Sequence, residues 1–368
     1  MRIQLLVHSL RRGGAERVLL EIALGLQKRG HQVEVIAWLD VDEYQDACYS
    51  SVKRNYLLSK DKYRWIRSIP HSAAVLRKLV RQFNPDVIEL HSPNVTWLAA
   101  YARFRIPCIH VLHGYGAITR YGSLKDDLMR YLFRFAARTL NCSYITVSES
   151  MIPVASKYYN VNPSEFTAVS NGVDLTKYLF KEQQPSCAPI ILMIGTLSPN
   201  KGQTLGIQAF TILLKSIPEA KLLIVGDGVD RGQLNALIQN GGLTGKVNLL
   251  GTRDDVPEIL AKTHILWQLS ESEAMPMVVL EAMASGVPVI GFDVRGTRDV
   301  IVNNKIGYLI SYADVSAIAD ITVELLKDVP RYRSFSLMGR EHVEQLYDNA
   351  CMVGGHENAM HIKIGHQA

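Results

Sequence analysis

Short apolar runs alternate with longer amphipathic stretches along most of this chain, and that rhythm limits the folds it can adopt. An apolar run at residues 3–7 is followed by an amphipathic stretch at 16–28 and by a second run at 32–37. Runs without polar alternation are typical of strands buried on both faces, which helices connect in parallel. The pattern predicts an α/β fold with Rossmann-like, doubly wound parallel sheets. Further strands are predicted at 86–90, 108–112 and 144–147, and a helix at 73–83.

One polar stretch interrupts this rhythm. Residues 181–189 (KEQQPSCAP) contain two prolines and no apolar run, which is typical of a linker. Strand-like runs resume at 190–194 and continue to 288–290. A chain of 368 residues is too long for one ordinary core and suits two domains. The sequence therefore predicts two Rossmann-like domains.

The predicted boundaries are a first domain at 1–180, a second domain at 190–335, and a crossover helix with a tail at 336–368. The tail after residue 348 shows no clear amphipathic pattern. Ligands of doubly wound sheets bind outside the carboxyl ends of the strands. We therefore expect both domains to direct their loops at a cleft between them.

Composition excludes several classes of protein. Hydrophobic residues make up 48% of the chain and charged residues 20%, so a disordered chain is excluded. No uncharged apolar stretch approaches the roughly 18 residues of a membrane span, and residues 1–10 lack the features of a signal peptide. The five cysteines are scattered, with no C-x-x-C pair, which argues for a reducing compartment and against a structural zinc. A cytoplasmic protein is predicted.

Charge is distributed unevenly. Residues 1–181 contain 25 basic and 15 acidic residues, a net charge of +10, and the remainder carries −5. A basic half indicates an anionic ligand or surface, although basic residues that merely solvate helices are an equal alternative. Nucleic acid is disfavoured as a partner, because no recognition motif accompanies the charge.

Two glycine-containing loops of the second domain follow predicted strands. The first begins with Gly195 and Thr196 and ends with Lys201. Its glycines let backbone amides approach a ligand, and its lysine supplies a positive charge, so that a nucleotide diphosphate would fit. An ordinary turn with a surface lysine is the alternative. The second loop, which begins at Gly226, reads as a plain turn.

A pair of glutamates is the most specific feature of the chain. Glu273 lies where a predicted strand gives way to a helix, and Glu281 lies about two turns further on. The first helical turn contains Met277 and Val278, so its amide groups are available to a phosphate. Carboxylates that accept hydroxyl hydrogen bonds beside such amides suit a sugar nucleotide. Two glutamates that are simply exposed or locally satisfied remain the alternative.

The first domain contributes two further candidates. Gly14, in the double glycine that follows the first strand, would let a diphosphate or sugar approach the backbone. The spacing is not G-x-G-x-x-G, so a nicotinamide-dependent oxidoreductase is disfavoured. His113 follows the strand at 108–112 and should face the cleft. A D-x-D pattern at Asp40 and Asp42 could bind a metal ion, but it lies far in sequence from these loops and is disfavoured.

Taken together, these residues resemble the retaining nucleotide-sugar glycosyltransferases of the GT-B fold, specifically glycosyltransferase family 4. The resemblance covers about residues 1–345. It rests on the E-x7-E motif from Glu273 to Glu281, continued as EAMASGVPVI. The GGAER of the first domain, the SNGVD at 170–174 and the Lys201 loop follow in family order.

The resemblance implies a role for each residue. Glu281 would bind the ribose hydroxyls, and Glu273 the hydroxyls of the transferred sugar. Lys201, with the amides of Met277 and Val278, would hold the diphosphate. The predicted nucleotide-sugar contacts are Gly14, Gly195, Thr196, Lys201, Gly226, Arg253, Glu273, Met277, Val278 and Glu281. Catalysis is assigned to Glu273, His113 and Lys201, with no metal or other cofactor, and His113 would contact the donor sugar.

One departure from the family pattern concerns the diphosphate. Family members usually carry an arginine where this chain has Thr196. Arg253 and Arg298 are weak candidates for the missing cation. The departure keeps open a catalytically inactive protein that binds nucleotide sugars. A UDP-sugar that carries a hexose or N-acetylhexosamine is the favoured donor, and GDP-mannose is its main rival.

The acceptor is predicted from the basic half. Arg130, Arg134 and Arg138 recur every four residues and so share a helix face, with apolar and aromatic residues between them. A second basic stretch at 53–67 contains Tyr56, Tyr63 and Trp65. Basic and aromatic residues together suit an anionic membrane surface, and many similar enzymes act on polyprenyl-diphosphate-linked or lipopolysaccharide acceptors. We predict a peripheral enzyme of polysaccharide assembly at the inner face of the membrane; a solvated helix face is the alternative.

Overall fold

The computed structural model describes residues 1–44, 47–62, 65–114, 124–182 and 184–365. The chain forms two compact units. Unit 1 comprises Met1–Gly172 and Asn349–Ala368, and unit 2 comprises Val173–Asp348. Both are α/β units with parallel sheets, as the alternating sequence pattern predicts.

Unit 1 is built on a parallel sheet that has seven strands in the described part of the chain. The strands are β1 (Arg2–Val7), β2 (Gln32–Asp40), β3 (Lys53–Ser59), β4 (Val87–Leu90), β5 (Cys108–Leu112), β6 (Ser143–Thr146) and β7 (Phe166–Ala168). The helices are α1 (Gly14–Lys28), α2 (Trp65–Phe83), α3 (Pro93–Ala102), α4 (Leu124–Thr139), α5 (Ile152–Tyr159) and, from the end of the chain, α13 (Asn349–Gly365).

Unit 2 has a parallel sheet of six strands among its described residues. They are β8 (Ile190–Ile194), β9 (Lys221–Val225), β10 (Val247–Gly251), β11 (Ile265–Gln268), β12 (Val289–Phe292) and β13 (Gly307–Ile310). The helices are α6 (Gln203–Leu213), α7 (Arg231–Asn240), α8 (Val256–Leu260), α9 (Met277–Ala284), α10 (Thr297–Val300), α11 (Val315–Lys327) and α12 (Val329–Leu346). No helix in the described ranges combines the length and the apolar character of a membrane span.

The two sheets share one connectivity. The strand order is β3-β2-β1-β4-β5-β6-β7 in unit 1 and β10-β9-β8-β11-β12-β13 in unit 2. In each, the order reverses beside the first strand, so a switch point lies between β1 and β4 and another between β8 and β11. Helices that leave such neighbouring strands on opposite faces open a crevice at the carboxyl ends, where ligands of this fold class bind. A ligand is therefore expected at the loops after β1, β4, β8 and β11.

The units divide at Gly172 and Val173, eight residues before the predicted boundary. The predicted linker at 181–189 lies within unit 2. The Val173 amide donates to the carbonyl of Tyr347 at 2.8 Å, and the Lys181 amide donates to that of Ser285 at 3.3 Å. These backbone bonds attach the segment before β8 to unit 2, which a polar, proline-containing sequence does not reveal.

The chain after residue 348, for which the sequence shows no pattern, forms α13 and belongs to unit 1. Its buried residues recur at helical spacing: Met352, Val353, His356, Ala359, Met360 and Lys363. Two of these six residues, His356 and Lys363, are polar, and this hides the amphipathic period. The helix packs on α1, where a Cβ added to Gly25 would lie 2.3 Å from Val353 Cγ2.

Candidate active site

Two loops meet at the switch point of unit 2. Lys201 ends a short 3-10 turn (Pro199–Lys201) after β8, and Glu273 lies in the loop after β11. The lysine Nζ donates to Glu273 Oε1 at 2.6 Å, and both side chains remain partly open to solvent, 27% and 15% exposed. The structure thus brings together the two residues that the sequence assigned to the diphosphate and the sugar.

Glu273 has a second partner that sequence reasoning missed. The side-chain amide of Gln268, at the end of β11, donates to Glu273 Oε1 at 3.0 Å and lies 2.9 Å from the hydroxyl of Ser270. Gln268 is 4% exposed. A polar side chain at the carboxyl end of an apolar strand was the available signal. The buried amide fixes the orientation of the carboxylate.

Close backbone approaches hold these loops in place. A Cβ at Gly226, whose φ is +130°, would lie 2.0 Å from the carbonyl oxygen of Gly195. A Cβ at Gly296, whose φ is +78°, would lie 2.3 Å from the carbonyl oxygen of Glu273. Any larger residue at these positions would displace the loop opposite. Gly226, predicted as a plain turn residue and a nucleotide contact, lies directly against the loop of Gly195.

Helix α9 connects the two glutamates of the E-x7-E motif. It begins at Met277, after Pro276, with no side-chain hydrogen bond at its cap. Met277 and Val278, in its first turn, are half-buried, whereas Glu281 is 1% exposed. Unsatisfied amides at a helix start favour an anion. The motif therefore places one carboxylate at the open end of the loop and one inside the unit.

The positive charges predicted to replace the missing arginine have other partners. The exposed Arg253 donates to Asp255 at 2.7 Å, and Arg298 donates to Asp293 at 2.6 Å. These ion pairs raise the pKa of each guanidinium through the hydrogen bond and then the charge of the carboxylate. Thr196 is exposed, and its carbonyl accepts from Gln203 at 3.0 Å. Lys201 is the cation that contacts Glu273.

In unit 1, the double glycine lies between β1 and α1. Gly13 precedes the helix, and Gly14 is its first residue. The hydroxyl of Tyr44 donates to the carbonyl of Gly13 at 2.7 Å and accepts from its amide at 3.0 Å. A Cβ at Gly13 would lie 2.4 Å from Glu16 Oε2. The loop is thereby fixed from both sides, and Tyr44 is a part of it that the sequence did not indicate.

His113 follows β5 and joins a chain of buried polar groups. Its Nε2 lies 2.8 Å from Nδ1 of His91, which follows β4. Nε2 of His91 lies 3.2 Å from Glu89 Oε2, and Nδ1 of His356 lies 2.9 Å from Glu89 Oε1. The side chain of Glu89 is fully buried, those of His91 and His356 are 1% and 3% exposed, and His113 is half-buried. Sequence reasoning named only His113.

Burial and neighbouring groups determine the protonation of Glu89, His91 and His113. Burial alone would raise the pKa of Glu89, but the imidazoles of His356 and His91 outweigh it and lower the pKa to about 2. Burial lowers the pKa of His91, although Glu89 opposes it, and lowers that of His113 well below the usual value. At neutral pH, Glu89 is therefore ionised, and His91 and His113 are neutral.

The three arginines of α4 do not form one solvated face. Arg130 pairs with Asp127, and its guanidinium lies 4.9 Å from the centroid of the Tyr158 ring. Arg134 donates to the carbonyl of Tyr158, and only Arg138 of the three is exposed. Among the α4 side chains that the structure describes, four large apolar ones are exposed, and we call them the α4 apolar patch: Leu128, Tyr131, Leu132 and Phe135.

In the second basic stretch of unit 1, two of the described residues form ion pairs. In β3, Arg54 donates to Asp42 at 2.6 Å and Lys53 pairs with Glu34. The Asp42 carboxylate accepts from Tyr56 at 2.7 Å as well. The stretch at 53–67 therefore begins with the edge strand β3, in which Arg54 is largely buried and Lys53 is exposed. Tyr63 and Arg64 lie outside the described residues. The carboxylate of the disfavoured D-x-D pattern is engaged by an arginine and a tyrosine.

Comparisons with known proteins agree with this architecture. Residues 12–177 match the family profile described as Glycosyltransferase Family 4, and residues 175–342 match the profile of Glycosyl transferases group 1. Over 361 residues the chain is 28% identical to an N-acetyl-alpha-D-glucosaminyl L-malate synthase of Bacillus anthracis, covering 94% of this chain and 93% of that protein.

Two further matches concern a transferase and a solved structure. The chain is 27% identical over 269 residues, 69% of each protein, to a UDP-Gal:alpha-D-GlcNAc-diphosphoundecaprenol alpha-1,3-galactosyltransferase of Escherichia coli. The crystal structure of Anabaena Alr3699/HepE in complex with UDP superposes with a TM-score of 0.82 at 19% identity, over 98% of this chain and all of that one. The chain belongs to glycosyltransferase family 4 and is a group 1 transferase of the GT-B fold that uses nucleotide sugars.

Proposed function

We propose that this protein transfers a hexose or N-acetylhexosamine from a UDP-sugar to a lipid-linked glycan with retention of anomeric configuration. The observation that carries the proposal is the pair of Lys201 and Glu273, 2.6 Å apart at the switch point of unit 2. A cation and a carboxylate side by side can serve a phosphate and a hydroxyl. The same pair gives each residue a counter-charge until a donor arrives.

UDP is the proposed nucleotide. The Escherichia coli relative is named for a UDP-sugar donor, and the Anabaena structure was solved with UDP. In the proposed complex Lys201 exchanges Glu273 for the diphosphate, which the amides of Met277 and Val278 also approach. Glu273 then accepts hydrogen bonds from the sugar, and Glu281 from the ribose. GDP-mannose is the rival donor.

The proposed reaction needs little chemistry from the protein. The bond between the anomeric carbon and the phosphate oxygen breaks, and a bond to an acceptor hydroxyl oxygen forms on the same face of the sugar. The hydroxyl proton passes to the leaving diphosphate oxygen, so charge and atoms balance. Positioning and stabilisation of the leaving charge supply the acceleration. Lys201 and the start of α9 supply positive charge there, so we propose that no divalent metal takes part.

The acceptor proposal is supported by the α4 apolar patch. Its residues are between 41% and 64% exposed, and Arg138 lies three positions after Phe135. Exposed aromatic and aliphatic residues beside a basic one suit the interface of an anionic bilayer. The Escherichia coli relative is named for a diphosphoundecaprenol-linked acceptor. We propose that the protein meets such an acceptor at the inner face of the plasma membrane.

The donor is tested by thermal shift with UDP, GDP and their sugar conjugates, because a ligand of the native state raises the melting temperature. We expect a shift with UDP that Glu281→Ala abolishes. In turnover assays, Lys201→Ala should lower kcat/KM by about 10²–10³, the usual cost of losing a group that stabilises the leaving charge. Chelator should leave the rate unchanged, and proton NMR of the product should show the donor's anomeric configuration.

The matched control is Lys246→Ala. Lys246 also pairs with a glutamate, Glu219 at 3.3 Å, but it lies before β10, at the opposite edge of the same sheet. Its activity should equal that of the wild type. A shift with GDP-mannose alone would replace the donor, and binding without turnover would favour an inactive binding protein. An inverted product or loss of activity with chelator would contradict the mechanism.

The membrane proposal has its own experiment. Vesicles that contain phosphatidylglycerol should sediment the wild-type protein at low salt. Tyr131→Ser with Phe135→Ser should weaken that binding at least tenfold, because two exposed aromatic anchors are lost. The control, Tyr101→Ser, removes an exposed tyrosine of α3. Equal binding by both variants, or no binding by the wild type, would exclude the patch as an anchor.

A further inference from the structure

The hydrogen bonds that link Glu89, His91 and His113 have a fixed order of donors and acceptors, and this order follows from the protonation of the three groups. The Glu89 carboxylate is ionised, so it can only accept hydrogen bonds. Nε2 of His91, 3.2 Å from Glu89 Oε2, must therefore carry a proton and donate it. His91 is neutral, so its second nitrogen, Nδ1, has no proton and accepts. The hydrogen bond at 2.8 Å between His91 and His113 is thus donated by Nε2 of His113.

The geometry of the two histidines agrees with a direct hydrogen bond. Their ring centroids are 5.1 Å apart and their planes lie within 21° of parallel. With the nitrogens at 2.8 Å, this separation means that the rings face each other edge to edge, as an in-plane bond requires. A face-to-face stack would leave both nitrogens without that partner.

The last nitrogen in the chain is Nδ1 of His113. Because His113 is neutral and its proton lies on Nε2, Nδ1 is a bare acceptor. It has no hydrogen-bond partner among the described residues, and it is shielded from solvent. A buried acceptor without a donor is costly. A hydroxyl group would satisfy it.

We propose that Glu89, through His91, is a positioning residue that holds His113 in one tautomer, with Nδ1 as the acceptor for a hydroxyl of the donor sugar. This inference rests on the proposed function for the identity of the hydroxyl. Glu89 and His91 do not touch substrate. Glu89 and His91 determine which nitrogen of His113 faces the substrate, and they prevent rotation of the His113 ring.

His356 extends the chain to α13. Its Nδ1 lies 2.9 Å from one oxygen of Glu89 and 3.2 Å from the other. A carboxylate with donors on both sides cannot turn away from His91. Helix α13 is held in place by a second pair of contacts, since Glu357 accepts from Arg29 at 2.7 Å and lies 2.6 Å from His31. The last helix of the chain therefore supports the orientation of His113.

The first test needs no substrate. Nitrogen NMR of the full chain with labelled histidine reports which ring nitrogen is protonated, and His113→Asn assigns the signal. At neutral pH we expect His113 to show a protonated Nε2 and an unprotonated Nδ1. Glu89→Gln, whose side chain can both donate and accept, should give a mixture of tautomers. A proton on Nδ1 in the wild type, or an unchanged tautomer in the variant, would overturn the proposal.

The second test measures the consequence. Glu89→Gln should lower kcat/KM for the nucleotide sugar about tenfold, the value of one hydrogen bond. Its affinity for the free nucleotide diphosphate should be unchanged. The matched control is Glu34→Gln, another buried glutamate of the same sheet, which accepts from Gln4 at 3.3 Å and pairs with Lys53. It should alter neither the His113 tautomer nor kcat/KM.

The outcomes separate this inference from the proposed function. Activity with a UDP-sugar that Glu89→Gln leaves intact would overturn the inference and leave the function standing. If His113 has the expected tautomer but the protein turns over no UDP-sugar, the proposed function is overturned and the assigned protonation of His113 and His91 still holds. If Glu89→Gln fails to fold, His91→Leu is the second variant, because it removes the hydrogen-bond partner of His113 Nε2. This variant should give the same mixture of His113 tautomers.

Discussion

The two sheets have the same strand order over six strands, and each has a carboxylate at or after the strand beside its switch point, β4 or β11. The two carboxylates differ in their surroundings. In unit 1, Glu89 is fully buried and lies between His91 and His356. In unit 2, Glu273 is 15% exposed and faces Lys201. Removing a partner of a buried charge destabilises the fold strongly, whereas an ion pair that is partly open to solvent contributes little to stability. The comparison indicates that the polar groups of unit 1 are held rigidly, whereas those of unit 2 can exchange their partners for a ligand.

The largest effect should come from deleting the buried charge. Glu89→Ala leaves the imidazoles of His91 and His356 without their acceptor and should lower the free energy of unfolding by about 3–5 kcal/mol. Lys201→Ala removes one member of a partly solvated pair and should cost no more than about 1 kcal/mol. Urea unfolding measures both, and hydrogen exchange of the β4 and β11 amides attributes each loss to its unit. Equal losses of stability in the two variants would show that the two carboxylates do not differ in structural importance.

Acid should affect unit 1 more than unit 2. Burial, the larger cause, and the nearby imidazole of His91 lower the pKa of His110 to about 3. The unfolded chain therefore binds a proton below about pH 6.5 that the folded chain refuses, so stability falls as the pH falls. The loss for His110 alone is about 2 kcal/mol between pH 6.5 and 5.

The test is urea unfolding at both pH values. His110→Gln should remove about 2 kcal/mol of the pH dependence, whereas the control His71→Gln, at an exposed position of α2, should leave it unchanged. Burial also lowers the pKa of His264 in unit 2. Amide exchange at β5 should accelerate in acid before exchange at β11. The reverse order would contradict the greater acid sensitivity of unit 1.

Effects of opposite sign should come from one substitution made in a helix of each unit. Gly25→Ala in α1 would place a Cβ 2.3 Å from Val353 of α13 and should cost about 1–3 kcal/mol through overpacking. Gly232→Ala in α7 meets nothing within 4 Å and should stabilise by about 0.5–1 kcal/mol. Thermal unfolding gives the two signs. Stabilisation by both would show that α13 packs loosely on α1.

Much of the fold could be predicted because the strands are nearly continuous apolar runs. The runs at 108–112 and 190–194 match strands β5 and β8 residue for residue. Strands β3, β7 and β13 were missed because they are short, lie toward the sheet edges or carry charge, as Lys53 and Arg54 do in β3. Periodicity recognises a buried face only when that face is apolar.

The site in unit 2 was predictable to a greater extent than the site in unit 1. Lys201 and Glu273 lie in loops with a family pattern, and the structure brings them together. Glu89 carries a signal in the sequence, because a carboxylate within an apolar strand requires a buried partner. His356 gave no local signal at all. Its partner is 267 residues away in the sequence, so that only the folded structure shows the pairing.

This separation has a consequence for how the protein is made. Unit 1 is discontinuous, and α13 is its last element to leave the ribosome. At about 5–20 residues per second, the 267 residues between Glu89 and His356 take roughly 13–50 s to translate. During that time β4 contains a carboxylate with one of its two imidazole partners absent, while unit 2 emerges complete. We therefore expect unit 2 to fold first during translation, and unit 1 to close around Glu89 only when the helix that carries His356 is released.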